Sequence, residues 1–221
     1  MKEREIEKFS KILKLINSDL QEAMIEIKKL NPDSIERLHQ YLANRTLHTE
    51  SARYRGRVVE MSIYLELVLA KILSKYFATS EKVGLLNSMV FDRMDLQRKL
   101  NTLKTILKTQ YPNIWRKENI NFKKLDKLII FRNNIAHSVL NSSPEYSKKI
   151  REQSMEFIKK GKKDKFLDGI EFGFYENHNW VFKNIKWNEI EAYHKGIYNG
   201  INKIEDIGKQ IIPEYEITLE E

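Results

Sequence analysis

The amino-acid sequence predicts an all-α fold that carries one small β-hairpin. Proline and glycine are scarce, with four and eight among 221 residues, so little in the chain interrupts helices. Apolar residues recur at spacings of three and four over most of the chain, which is the periodicity of helices that bury one face. The single alternating stretch, IEFGFYENHNWVFKNIKW at residues 170–187, indicates a hairpin that turns at Asn177, His178 and Asn179.

Composition limits the class of protein. The chain is 41% hydrophobic and 32% charged, and it has no uninterrupted apolar run of the roughly 20 residues that a membrane span requires. The N-terminal residues carry charges of both signs and no apolar signal core, so we expect a cytoplasmic protein. The absence of cysteine excludes disulfides and thiolate zinc sites. A net charge of +8 is compatible with a polyanionic partner such as RNA, although charge alone is a weak argument.

Residues 1–45 predict an N-terminal helical extension. Its first thirty positions place apolar residues at spacings of three and four without a break, as on one long helix. A short second helix, capped by Asp33 or Ser34, should follow and end near Asn44. The apolar stripe of the long helix has two open explanations, which are packing on its own domain and docking of a partner or dimer helix.

Residues 46–221 predict a helical bundle. Its first helix is apolar on most faces apart from Glu60 and Glu66, so it should be the central buried helix. A lysine-rich polar segment and the hairpin form an insertion at about residues 145–187, before the last helix. The four long helices of this bundle are expected at Thr49–Tyr76, Asp95–Gln110, Asn121–Leu140 and from Asn188 onward.

An arginine occupies the apolar stripe of the helix at residues 121–140. At 100° per residue, Arg132 lies about 20° from Leu125, near the middle of the apolar face. A buried guanidinium without partners costs several kcal/mol, so Arg132 must be paired or must face a wet cleft. The sequence leaves two interpretations open: a buried ion pair, with Glu66 as the best candidate and Glu60 next, or a polar slot that Arg132 shares with His137.

The stretch FRNNIAH at residues 131–137 resembles the signature of the HEPN superfamily, in which an arginine is followed after four to six residues by a histidine. Arg132, Asn133 and His137 match the three places of that signature in order. IYLELVLAKIL resembles the family's earlier helix, where Glu66 would hold a common acidic place, and DLQRKLNTLKTIL is similar to the helix between them. The resemblance covers about residues 50–142 and the last helix.

The resemblance implies a helical bundle that cleaves RNA as a homodimer without a metal or cofactor. Arg132, Asn133 and His137 would be its catalytic residues, and Glu66 would support them. The residue types suit the reaction, because imidazole exchanges protons near neutral pH and a guanidinium stabilises the charge of a phosphorane-like transition state. Arg132 and His137 lie about 140° apart on one helix, so a second subunit would help to complete the site. A toxin or antiphage role, restrained by an antitoxin or regulatory protein, is the expected context.

Other polar residues carry weaker expectations. The lysine run, which includes Lys159, Lys160, Lys162 and Lys163, is expected to form a solvated loop, with contact to RNA phosphates as the functional alternative. His39 and His48 should be surface residues, whereas Trp180 and Trp187 should pack rather than stack on bases. Two further functions stay open, namely a non-catalytic HEPN module that binds RNA, nucleotide or protein, and a helical scaffold that recruits a partner through its N-terminal stripe.

Overall fold

Helices make up most of the fold, as the sequence predicts. A computed structural model describes residues 3–18, 20–141, 143–160, 169–176 and 179–212, and the predicted all-α class with a small hairpin is confirmed there. No helix in these ranges has the length and apolarity of a membrane span. The helices are α1 (Glu3–Ser18), α2 (Leu20–Lys28), α3 (Pro32–Phe77), α4 (Val83–Met89), α5 (Leu96–Gln110), α6 (Pro112–His137), α7 (Pro144–Lys160) and α8 (Trp187–Ile211). The strands are β1 (Val139–Leu140), β2 (Ile170–Glu176) and β3 (Asn179–Ile185).

The chain divides into two compact units. Unit 1 comprises Met1–Arg53 and Val139–Lys186, and unit 2 comprises Tyr54–Ser138 and Trp187–Glu221. The predicted N-terminal extension and the predicted insertion, which are far apart in the sequence, both lie in unit 1. The segment that carries Arg132, Asn133 and His137 falls in unit 2.

Helix α3 corrects the prediction of two separate helices with a break between Asn44 and Thr49. It is one continuous helix of 46 residues. The polar residues in the expected gap are only weak helix breakers, since ordinary residues differ from alanine by at most about 0.7 kcal/mol in a helix. Leu42, Ala43 and Leu47 are buried through this stretch, so packing holds the helix together where propensity is low. The predicted long first helix corresponds to α1 and α2, on either side of residue 19, which lies outside the described residues.

Part of the apolar stripe of the N-terminal helix packs inside unit 1. Phe9 and Ile12 of α1 pack with Leu38 and Leu42 of α3 in one cluster. Phe9 belongs to the predicted stripe, as do Ile27 and Leu30, which pack against the same cluster. This packing therefore favours the explanation in which the N-terminal helix docks on its own unit.

The predicted hairpin is confirmed, and a third strand joins it. The sheet is antiparallel in the order β1-β2-β3, with Phe172 paired to Lys183 and Leu140 paired to Phe172. Residues 177 and 178, where the turn was predicted, lie outside the described residues. Strand β1 corrects the expected end of the preceding helix: α6 stops at His137, and Ser138 is already extended.

The polar segment after residue 145, which is not predicted as a helix, begins with helix α7. Tyr146 and Ile150 lie one helical turn apart and are both buried, so the segment has an apolar face. The many lysines of the segment make this face hard to recognise in the sequence. Lys159 and Lys160 end this helix and are not part of a loop. The rest of the lysine run lies outside the described residues.

Unit 2 contains the second half of α3 together with α5, α6 and α8. Asp95, the first residue of the predicted helix, caps α5, because its side chain accepts a hydrogen bond of 2.8 Å from the amide of Arg98. Helix α6 begins at Pro112, nine residues before the predicted start, since proline is well tolerated in the first turn of a helix. The core is formed by leucine and isoleucine side chains of all four helices, including Leu65, Leu69, Leu73, Leu100, Leu103, Leu107, Leu125, Ile129, Ile190, Ile197 and Ile204.

Candidate functional site

Arg132 is half-buried on α6, and neutral side chains hold it. Its Nε donates a hydrogen bond of 3.3 Å to Ser62 Oγ, and its Nη1 donates one of 2.9 Å to Asn133 Oδ1. No carboxylate of the described residues lies within ion-pair distance of its guanidinium. The positive charge of Arg132 is therefore not neutralised by this part of the chain.

Glu66 does not fill the role of ion-pair partner to Arg132 that the sequence suggested. Its Oε1 accepts a hydrogen bond of 2.8 Å from Nζ of Lys99, whose side chain is only 3% exposed. The second candidate, Glu60, pairs with Arg57 at 3.3 Å on the surface. A lysine buried on the inner side of α5 requires an anion nearby, and Glu66 supplies that anion.

Asn133 and His137 are both exposed on α6. Asn133 lies one turn before His137, but its side-chain oxygen accepts the hydrogen bond from Arg132. No side chain of the described residues hydrogen-bonds the His137 imidazole, which stands at the last residue of the helix. Within one chain, the structure thus joins Arg132 to Asn133 and leaves His137 open to solvent.

Ser62 and Tyr193 form a buried polar support behind Arg132 that the sequence analysis did not identify. Ser62 Oγ donates to the Val59 carbonyl at 2.7 Å, and the Tyr193 hydroxyl donates to the Val58 carbonyl at 3.3 Å. Burial raises the pKa of Tyr193, while the positive charge of Arg132 and a hydrogen bond with Ser62 lower it in part. The only sequence signals were a serine in an apolar helix and a tyrosine in the stripe of α8.

Arg55 brings a second guanidinium to the C-terminal end of α6. Its Nη2 donates a hydrogen bond of 2.9 Å to the carbonyl of Ser138, the residue that follows His137. This contact stabilises one of the carbonyls that a helix end leaves without an intrahelical donor. The sequence RYRGR around Arg55 gave no periodic signal that would have distinguished it from a charged helix surface.

The remaining histidine and tryptophan residues singled out from the sequence lie on the surface, in the core or outside the described residues. His39 is buried in unit 1, which corrects the expectation of a surface residue, because it lies beside Leu38 on the inward face of α3. His48 is exposed as expected. Trp180 is 54% exposed and packs edge-on against Tyr175, with ring centroids 5.5 Å apart.

The lysines proposed for RNA contact add nothing to the described site. Lys162 and Lys163 lie outside the described residues, as does His178, and only the backbones of Lys159 and Lys160 are described. The described residues also contain no group of three or more histidine or acidic side chains that could hold a metal ion. Comparisons with models of known families, with curated proteins and with solved structures find no match for this chain.

Proposed function

We propose that unit 2 is a HEPN-type domain that cleaves RNA without a metal ion and acts as a homodimer. The observation that carries the proposal is Arg132, a half-buried guanidinium that neutral oxygens hold in place and no described carboxylate neutralises. Such an arrangement keeps a positive charge available for a phosphate. The exposed His137 stands five residues further along the same helix, at its end.

The proposed reaction is attack of the RNA 2′-hydroxyl on the adjacent phosphorus. His137 would accept the 2′-hydroxyl proton or donate one to the 5′-oxygen, and Arg132 would stabilise the negative charge of the phosphorane-like transition state. The bond from phosphorus to the 2′-oxygen forms while the bond to the 5′-oxygen breaks. The products would be a 2′,3′-cyclic phosphate and a 5′-hydroxyl.

A second copy of the chain would complete the site. Arg132 and His137 diverge by about 140° on a single helix, so residues from two copies meet one phosphate more readily than residues from one. Ile63, Tyr64 and Leu67 support a dimer, because they form an apolar patch on α3 and are 48%, 55% and 55% exposed. The patch begins next to Ser62, the residue that holds Arg132.

The test is cleavage of a labelled single-stranded RNA in the presence of EDTA. His137→Ala and Arg132→Ala should each lower the rate by at least about 100-fold, as expected for loss of a general acid–base or of charge stabilisation. His48→Ala and Arg93→Ala, which remove exposed residues of the same types, should cleave like the parent chain. Cleavage that needs a divalent cation, or that survives both site variants, would overturn the proposal.

The dimer is tested separately by sedimentation equilibrium. Leu67→Glu should convert the dimer to a monomer and reduce cleavage with it, because it places a charge in the apolar patch. Leu85→Glu is the matched control, since Leu85 is 61% exposed on α4 and lies outside the patch. A parent chain that is monomeric at high concentration would remove the dimer from the proposal.

A second candidate function is a HEPN module that binds RNA, nucleotide or protein without cleaving it. It is favoured by the His137 imidazole, because no described side chain holds one of its nitrogens and so fixes its tautomer. Binding of RNA by the parent chain, with no cleavage under any condition, would support this function over the first.

The proposed toxin or antiphage context predicts arrested growth on expression of the parent chain and normal growth with His137→Ala.

A further inference from the structure

The exposed face of α6 carries only positive charge. Its exposed ionisable residues, here called the α6 basic face, are Arg116, Lys117, Lys123, Lys124 and Lys127. Both carboxylates of the helix are engaged elsewhere: Glu118 is buried and accepts a hydrogen bond of 2.6 Å from Asn121, and Asp126 pairs with Lys104. The cations of the α6 basic face have no ion-pair partner among the described residues, so their charge is open to an anion.

The α6 basic face leads toward the candidate histidine. With 100° per residue, Lys123, Lys127, Asn134 and His137 lie within about 80° of one another around the helix. Lys123 and His137 are separated by roughly 21 Å along the axis, from a rise of about 1.5 Å per residue. A polyanion that follows this face would therefore reach His137.

A groove between α6 and α8 adjoins the same face. It has a volume of about 480 Å³, and its lining includes Asn121, Lys124, Asn199, Asn202 and Lys203. Amide side chains can both donate and accept hydrogen bonds, so they suit the edge of a nucleobase. Lys124 supplies positive charge beside them, whereas Lys203 pairs at 3.8 Å with Asp206, which also lines the groove.

The floor of the groove is apolar and tightly built. Leu125 and Leu128 of α6 approach α8 at Gly200 and Gly196, where side chains are absent. A Cβ atom on Gly200 would overlap Cδ2 of Leu125. The floor is thus a close helix contact, and it offers an apolar surface for the face of a base.

We propose that the α6 basic face and the α6–α8 groove form a binding track for single-stranded RNA. Phosphates lie on the lysines, a base enters the groove, and the strand continues to His137. This assignment deepens the proposed function and rests on it for the cleavage step. RNA is favoured over an anionic lipid surface because the amide-lined groove is concave and offers base-sized hydrogen-bonding sites, which a flat surface would not use.

The phosphate contacts are tested by fluorescence anisotropy with a labelled 12-nucleotide single-stranded RNA in the His137→Ala background, which keeps the RNA intact. Each phosphate contact contributes about 0.7 to the slope of log K against log salt, or about fivefold in affinity at 0.1 M salt. Lys123→Ala with Lys127→Ala should therefore weaken binding by about 25-fold and lower the slope by about 1.4. The control, Lys82→Ala with Arg93→Ala, removes two exposed positive charges outside the track and should change affinity less than about threefold.

The groove is tested by comparing the binding of two strands, one with bases and one without. Asn199→Ala with Asn202→Ala should weaken binding of the 12-nucleotide RNA but not of a strand of the same length that lacks bases. The track would be overturned if the lysine pair and its control lost equal affinity for RNA. It would also be overturned if the asparagine pair lost equal affinity for both strands. Binding to anionic phosphatidylserine vesicles that is as tight as RNA binding and equally sensitive to the lysine pair would replace RNA by a membrane.

These outcomes are separable from those of the proposed function. If cleavage requires His137 but the lysine-pair substitutions leave RNA binding unchanged, the binding track is overturned and the nuclease proposal stands. RNA binding that depends on the lysine pair, without cleavage by the parent chain, would keep the track and overturn the nuclease.

Discussion

Replacing Glu66 by alanine should destabilise the protein strongly, because it leaves Lys99 buried without its anion. The Lys99 side chain is 3% exposed and its ammonium donates to Glu66 Oε1 at 2.8 Å. Breaking a buried pair by removing one partner costs about 3–5 kcal/mol. The Glu66 side chain is 29% exposed, so water can reach part of the site in the variant, and a loss of about 3 kcal/mol is expected.

The loss is measured by thermal and urea unfolding. For a chain of this size, about 3 kcal/mol corresponds to a fall in melting temperature of roughly 6–12 °C. Glu60→Ala is the matched control, because it breaks an exposed pair with Arg57 and should cost less than about 1 kcal/mol. A combined Glu66→Leu and Lys99→Met variant should recover most of the stability, since an apolar pair of similar volume avoids the buried charge. Equal effects of Glu66→Ala and Glu60→Ala would refute the reasoning.

Two further predictions concern the packing around α8. Burial raises the pKa of Tyr193, so the folded chain keeps its hydroxyl neutral where the unfolded chain ionises. This contribution to stability is complete below about pH 10 and is lost as the pH rises above it. Tyr193→Phe should therefore reduce the fall in unfolding free energy at alkaline pH. At neutral pH the same substitution should cost about 0.5–1.5 kcal/mol, because it removes a hydrogen bond. Gly200→Ala should cost about 1–3 kcal/mol in urea unfolding, because its Cβ would overlap the Leu125 side chain, which is buried in the core. Gly84→Ala, which meets no atom within 4 Å, should not destabilise the chain, and equal effects of the two alanines would contradict the close contact.

Local chemistry explains which elements could be predicted from the sequence. The prediction of α5 differs from the structure by one residue at its start, because the leucine spacing marks the buried face of the helix. The continuity of α3 could not be read from the residues near Asn44, since burial of Leu47 outweighs their weak preference against helix. Strand β1 depends on pairing with Phe172, more than thirty residues away, which no local pattern contains.

The candidate site was predictable in position but not in pairing. Helical periodicity placed Arg132 and His137 on α6, because an angle around an axis follows from sequence spacing alone. It could not show which neighbour faces Arg132, because that depends on how other helices are rotated. The partner of Glu66 proved to be Lys99, and the side chain of another helix that accepts a hydrogen bond from Arg132 proved to be Ser62.

The charge arrangement of α6 gives the strongest reason to expect an anionic ligand at this helix. Arg132 is kept partly out of water by neutral acceptors, which orient its guanidinium but do not cancel its charge. Of the two carboxylates of the helix, Asp126 pairs with Lys104, and Glu118 is buried on the side of the helix opposite Lys123 and Lys127. Positive charges along one helix repel one another, and an anion that binds there relieves that repulsion in addition to its direct contacts. A phosphate chain supplies negative charge at regular intervals, and it is the ligand whose form matches a line of cations that ends at an imidazole.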